Sequence, residues 1–149
     1  MNDPAGSGLG VAALADLDHD RLVEALRGRL ADRAPRRLTL PERYRAAAVA
    51  VLLGERAART HVLLTVRSTD LRQHSGQIAL PGGVCDDGDV SFAATAERES
   101  REELGIDPAR LAVLGVLDDV PTPTGFVITP VVATLAAAPD VAYAPNPRE

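Results

Sequence analysis

The stretch RESREELGI, Arg98 to Ile106, brings Glu99, Glu102 and Glu103 together at i, i+3 and i+4. On a helix these positions share one face, and like charges there repel by roughly a few tenths of a kcal/mol per pair. Taken alone, such a run is usually a solvated face. The alternative is a bound cation that holds the carboxylates together, and the surrounding sequence decides between the two.

Working outward, Ser91 or Asp89 can cap a helix that starts near Phe92, and Gly105 with Pro108 stops it. Phe92, Ala96, Ser100 and Leu104 recur every four residues and predict its buried stripe. Upstream, QIALPGG (77–83) reads as a short strand broken at Gly82-Gly83, and VCDDGDVS (84–91) as a loop. A glycine pair lets backbone approach a ligand closely, and its carbonyls are hard oxygen donors. Facing three helical carboxylates, they suit Mg²⁺ or Mn²⁺. Arg98 can hold one of the glutamates by a bidentate contact.

The remaining chain reads as one domain around this unit. Residues 1–15 form a small-residue arm ahead of a domain over 16–149. DHDRLVEALRGRLADR (18–33) places Leu22, Leu26 and Leu30, with Val23, on one stripe of an amphipathic helix, and APRRLTLPERYR (34–45) follows as a linker. AAAVAVLL (46–53) and THVLLTVR (60–67) predict adjacent antiparallel strands around a charged turn. LAVLGVLDDV (111–120) and FVITPVVATLA (126–136) predict two more, joined by PTPTG. This order gives an α+β domain with a mixed sheet.

Composition narrows the function classes. The 149 residues are 46 % hydrophobic and 3 % aromatic, so the core is aliphatic and the chain globular. A net charge of −5 argues against general nucleic-acid binding. All 16 basic residues are arginine, which leaves anion recognition to guanidinium forks. The lone Cys85 excludes an intramolecular disulfide and a multi-cysteine zinc site, and reads as a small filler. With no basic region before the N-terminal apolar run and no span of membrane length, the expectation is a cytoplasmic, soluble protein without nucleic-acid or membrane partners. His19 and His61 read as surface or strand residues, and Asp118-Asp119 as a strand-end turn.

GGVCDDGDVSFAATAERESREELGI resembles the signature box of the Nudix hydrolases, G-x5-E-x7-R-E-U-x-E-E-x-G-U with U aliphatic. Gly83, Arg98, Glu99, Glu102, Glu103, Gly105 and Ile106 match, so the box spans 83–106. Asp89 replaces the usual glutamate, eight residues rather than seven separate it from Arg98, and Ser100 takes an aliphatic position. Just upstream, LLTVRSTDLRQHSGQIALPGG (63–83) resembles the signature of the coenzyme A diphosphatase branch, with Leu80 where that branch has phenylalanine.

The resemblance implies a Nudix fold, a mixed sheet sandwiched between helices. It implies hydrolysis of the diphosphate of coenzyme A or its thioesters, with Mg²⁺ or Mn²⁺ as cofactor. Glu102 and Glu103 would bind metal with the Gly82 carbonyl, Glu99 would be metal ligand or base, and Arg98 would orient it. Arg67 and Arg72 would meet substrate phosphates, and His74 would make a loop or substrate contact. A homodimer is compatible with it. The rivals are a Nudix enzyme for ADP-ribose or NADH, and a catalytically silent nucleotide-binding module. The fold as the resemblance implies it also has a closing C-terminal helix and a further strand, for which the proline-punctuated tail to Glu149 has no counterpart. The expectation is therefore a C-terminally truncated domain with one poorly covered sheet face, only partly covered by the N-terminal helix.

Overall fold

The computed structural model describes residues 17–40, 42–66 and 77–136. Two helices flank a mixed sheet: α1 (His19–Ala31), β1 (Arg45–Arg56), β2 (Arg59–Val62), β3 (Thr65–Val66), β4 (Ile78–Ala79), β5 (Gly82–Val84), α2 (Phe92–Leu104), a 3₁₀ turn (Pro108–Arg110), β6 (Leu111–Val116), β7 (Val120–Pro121) and β8 (Phe126–Leu135). The sheet order is β2-β1-β8-β6, with β5 also on β1 and β7 also on β8. The two long central strands, β1 and β8, run parallel from Arg45↔Phe126 to Leu53↔Thr134. Their neighbours β2, β5, β6 and β7 all pair antiparallel. The expected α+β Nudix fold is the one observed.

Strand alternation sends the apolar residues of β1 and β8 to both faces. Ala48, Ala50, Leu52, Val131, Ala133 and Leu135 bury with Ala96, Leu104 and Ile106 on the α2 side. Leu53 and Val132 bury with Leu114 on the opposite side, under Val23, Leu26 and Leu30 of α1. α1, with Val23, Leu26 and Leu30 half-buried, packs on the face expected to be only partly covered. Asp18 caps that helix by accepting the Arg21 N–H. His19, expected at the surface or in a strand, is instead buried at the start of α1, its ring nitrogens 3.0 Å from Thr60 Oγ1 and 3.3 Å from Thr134 Oγ1.

Two apolar runs divide differently from their sequence pattern. THVLLTVR is not one strand: β2 ends at Val62, and β3 leaves to pair with β4 in a separate two-stranded sheet. LAVLGVLDDV bends at an irregularity between Val113 and Gly115 and ends as β6 at Val116. Asp118 and Asp119 then clamp the linker: Arg33 pairs with Asp118, and Asp119 accepts from Arg37 at 2.6 Å and from the Leu38 N–H at 2.8 Å. These acids are more than a strand-end turn, because they fasten the chain between α1 and β1 to the sheet.

The β1–β2 hairpin turns through Ala57 (φ 52°) and Ala58 (φ 58°), a left-handed pair that suits Asn-Gly rather than alanine. Replacing Ala58 by Gly should therefore raise stability, by about 0.5–1 kcal/mol. Urea unfolding checks this; a lower midpoint would show that the turn is unstrained.

Candidate active site

The helix that carries the acids is well delimited. Ser91 caps α2 by accepting the Ala94 N–H at 3.1 Å, and Gly105, left-handed at φ 67°, ends it. Thr95, Ala96, Ser100 and Leu104 are buried, with Phe92 half-buried at the start of the stripe. Ser100 fits where an aliphatic residue is usual because its hydroxyl donates to the Ala96 carbonyl at 2.6 Å, leaving no unsatisfied polar group.

Arg98 is the centre of the site. Its Nε and Nη2 donate to the two oxygens of Asp89 at 3.3 and 3.0 Å. Nη2 also donates to the Val84 carbonyl at 3.0 Å, and Nη1 to Glu99 Oε1 at 2.8 Å and Glu102 Oε2 at 3.4 Å. The bidentate contact therefore goes to Asp89, not to a glutamate; Glu99 and Glu102 share the remaining nitrogen. Asp89 and Glu99 side chains are only 9 % and 14 % exposed, whereas Glu102 is 54 % exposed, so the first two contacts hold and the third is weak.

The Arg98 hydrogen bond, then the Asp86 N–H, draw the Asp89 carboxyl down to about 2 against the opposing effect of burial, with the Thr95 hydroxyl assisting. Asp89 in turn holds Arg98 more firmly protonated than usual. The shorter acid and the extra residue reach this geometry together: Val90, 94 % exposed, projects from the lengthened loop while Asp89 turns inward.

The glycine strand lies under these acids. β5 pairs with β1 through Ala47↔Val84, Ala48↔Gly83 and Val49↔Gly82. A Cβ on Gly83 would stand 2.3 Å from Glu99 Oε1, so only glycine leaves room for that carboxylate. Cys85 continues the strand, its N–H donating to the Ala46 carbonyl, and is half-buried as a filler would be. Arg98 and Glu102 also border an open groove of about 530 Å³, lined by Ala94, Glu97, Arg101 and Pro108.

Among the described residues, no three acid, histidine or cysteine side chains already converge as a cation cage. The guanidinium occupies the place between Glu99 and Glu102. The donor set nevertheless fits a hard cation: one Arg98 nitrogen reaches both carboxylates, so they face a common point, and Glu103 follows at i+4 from Glu99 on the same side. Arg67, Arg72 and His74 lie outside the described residues. Sequence reasoning missed Asp89 as the main partner of Arg98. It also missed the Arg37–Asp119 pair, whose members stand 82 residues apart with no local spacing to mark them.

The chain is similar to known proteins over this region. Residues 43–148 match the NUDIX domain. The uncharacterized Nudix hydrolase NudL of Shigella flexneri serotype 5b is 45 % identical over 103 residues, 69 % of this chain and 52 % of that protein. NudL of Escherichia coli O7:K1 is 43 % identical over 106 residues, 71 % and 54 % respectively. The chain thus spans about half the length of the curated relatives it matches. A Nudix hydrolase from M. smegmatis, RenU, superposes with a TM-score of 0.55 at 26 % identity over 70 % of this chain and 65 % of its own. A C. elegans Ap4A hydrolase shares the fold, with a TM-score of 0.53 at 22 % identity over 68 % and 75 %.

A carboxyl held below its unfolded value contributes stability above the unfolded pKa and loses it as pH falls through the folded one. For Asp89 that window runs from the ordinary 3.8 down to about 2. Asp89→Asn should be less stable than the parent at neutral pH, and urea midpoints should show the gap closing across this window. A gap independent of pH would remove the charge from the explanation.

Proposed function

The chain belongs to the NUDIX domain family, and on that premise we propose that it hydrolyses the diphosphate bond of coenzyme A or acyl-CoA. The products are adenosine 3′,5′-bisphosphate and (acyl-)4′-phosphopantetheine. The observation that carries the hydrolase reading is the Arg98 cluster: one guanidinium orders Asp89 and Glu99 against the bare Gly83 backbone. A silent binding module has no need of that arrangement. The coenzyme A part rests on the signature at 63–83, which leads through β4 and Leu80-Pro81 into Gly82 of β5.

In the reaction, water oxygen bonds to one phosphorus while the bridging oxygen leaves with the other. Water must lose a proton, and Glu99, fixed by Arg98 and by its fit over Gly83, is the group assigned to take it. Glu102 and Glu103, with Glu99 and the Gly82 carbonyl, would hold Mg²⁺ or Mn²⁺, which when bound neutralises phosphate charge and lowers the pKa of water. Arg67 and Arg72 are assigned to substrate phosphates, where a charge-assisted contact is worth about 1.5–3 kcal/mol.

Metal dependence, substrate preference and directed variants test this. Excess EDTA should abolish hydrolysis, and Glu99→Gln should lower turnover at least ~10²-fold, while Glu102→Gln and Glu103→Gln raise the metal concentration required. The parent should favour CoA over dephospho-CoA in kcat/KM, and Arg67→Ala or Arg72→Ala should erase much of that ratio. Equal efficiency on CoA, ADP-ribose and NADH would favour the broader nucleotide hydrolase, and full activity in EDTA would overturn the mechanism. Gly83→Ala should keep the fold but lose turnover, because its Cβ displaces Glu99.

A further inference from the structure

Arg37 stands in the linker between α1 and β1, apart from the acidic cluster, yet its guanidinium ends on α2. The guanidinium carbon lies over the ring of Phe92, the first residue of α2, 5.5 Å from its centroid. Nη1 donates to Asp119 Oδ1 at 2.6 Å, to the Leu117 carbonyl at 3.3 Å and to Thr129 Oγ1 at 3.5 Å. Asp119 is 6 % exposed, and its oxygens also accept from the Leu38 N–H at 2.8 Å and the Thr129 hydroxyl at 2.7 Å. The carboxylate is therefore fixed on both oxygens, and it fixes the guanidinium against the ring.

One turn along α2 from Phe92, the fully buried Thr95 donates its hydroxyl to Asp89 Oδ2 at 2.9 Å, and Asp89 grips Arg98. The same first turn of helix thus carries both the Arg37 contact and the support of Asp89. We propose that Arg37 is a positioning residue: stacked on Phe92 and tied to Asp119, it sets where α2 begins against the sheet, and so sets the Asp89–Arg98–Glu99 geometry. The idea rests on the reading that α2 carries the catalytic groups. Arginine suits the task because a flat cation can cover an aromatic face while its edge donates to a carboxylate. A displacement of about 1 Å would break the bonds at 2.9 and 3.0 Å, and misplacement of that size can cost ~10²-fold in rate.

The test uses Arg37→Lys, which keeps the charge beside Asp119 but loses the flat fork, and Phe92→Leu, which keeps apolar packing but loses the ring. Phe92→Tyr, which keeps the ring, is the rescue. Arg37→Lys and Phe92→Leu should each lower kcat about 10-fold with KM changed less than about 2-fold, and the double variant should fall no further than the worse single. The ¹⁵N Nε–H resonance of Arg98, assigned by its loss in Arg98→Lys, should shift in both single variants and stay in place in Phe92→Tyr. An unmoved Arg98 resonance with only a lowered melting temperature would reduce Arg37 to a structural clamp and overturn the proposal. If the parent hydrolyses no diphosphate substrate, the functional reading fails, while the resonance still decides the positioning.

Discussion

Arg98 donates to a loop carboxylate, a strand carbonyl and two helical carboxylates at once, and these contacts join the parts of the site. Glu99, Glu102 and Glu103 on one face of α2 would otherwise repel one another, and Asp89 would be a carboxylate turned inward without a counter-charge. Supplied with the guanidinium, the loop 85–91 closes down on α2 and brings β5 beneath it. Asp89 and Glu99 are largely shielded from water, so a missing partner costs more here than a lost surface pair.

That junction needs a rigid floor, which the parallel pair β1 and β8 provides. β5 can lie across the first half of β1 because β2 takes only the second half of the same edge. β7 and β6 divide the outer edge of β8 in the same way. Each long strand therefore serves the core at one end and a functional or clamping segment at the other. α1 packs on the face away from α2, and the site's helix commits its apolar side to the core that holds Ala48, Leu52 and Val131.

The parts legible in sequence are those set by local rules. Ser91, Gly105 and the four-residue stripe predict α2 because capping and periodicity act within a few residues. The carboxylate face and the β1–β2 hairpin were equally local, whereas Gly82 and Gly83, read as a break, stand in β5 paired with β1. What escaped depends on residues brought together by the fold. The split of THVLLTVR depends on β3 finding β4 across residues outside the described structure, and an apolar run does not show where a strand leaves its sheet. The partners of His19, Thr60 and Thr134, and those of Asp119 stand far away in sequence. Asp89 was readable as a cap or as a variant of a motif position; its choice of Arg98 follows from the loop closing, which spacing alone does not specify.

The strengths of the Arg98 contacts also bear on how a cation, bound as proposed, could enter a place the guanidinium occupies. Asp89 takes two of the three nitrogens, and its low pKa marks that pair as the strongest. Glu99 takes a single bond, and Glu102 a longer one at an exposed position where water already competes. The Glu102 contact is therefore the one that a cation held by these carboxylates would have to share, whereas the Asp89 and Glu99 contacts hold. Arg98 would remain anchored by Asp89 and the Val84 carbonyl and would still orient Glu99 through Nη1. A lysine could not divide its donors this way, since a single ammonium cannot face Asp89 and Glu99 through separate edges. Asp89 is thus what fixes the arginine that neutralises the cluster.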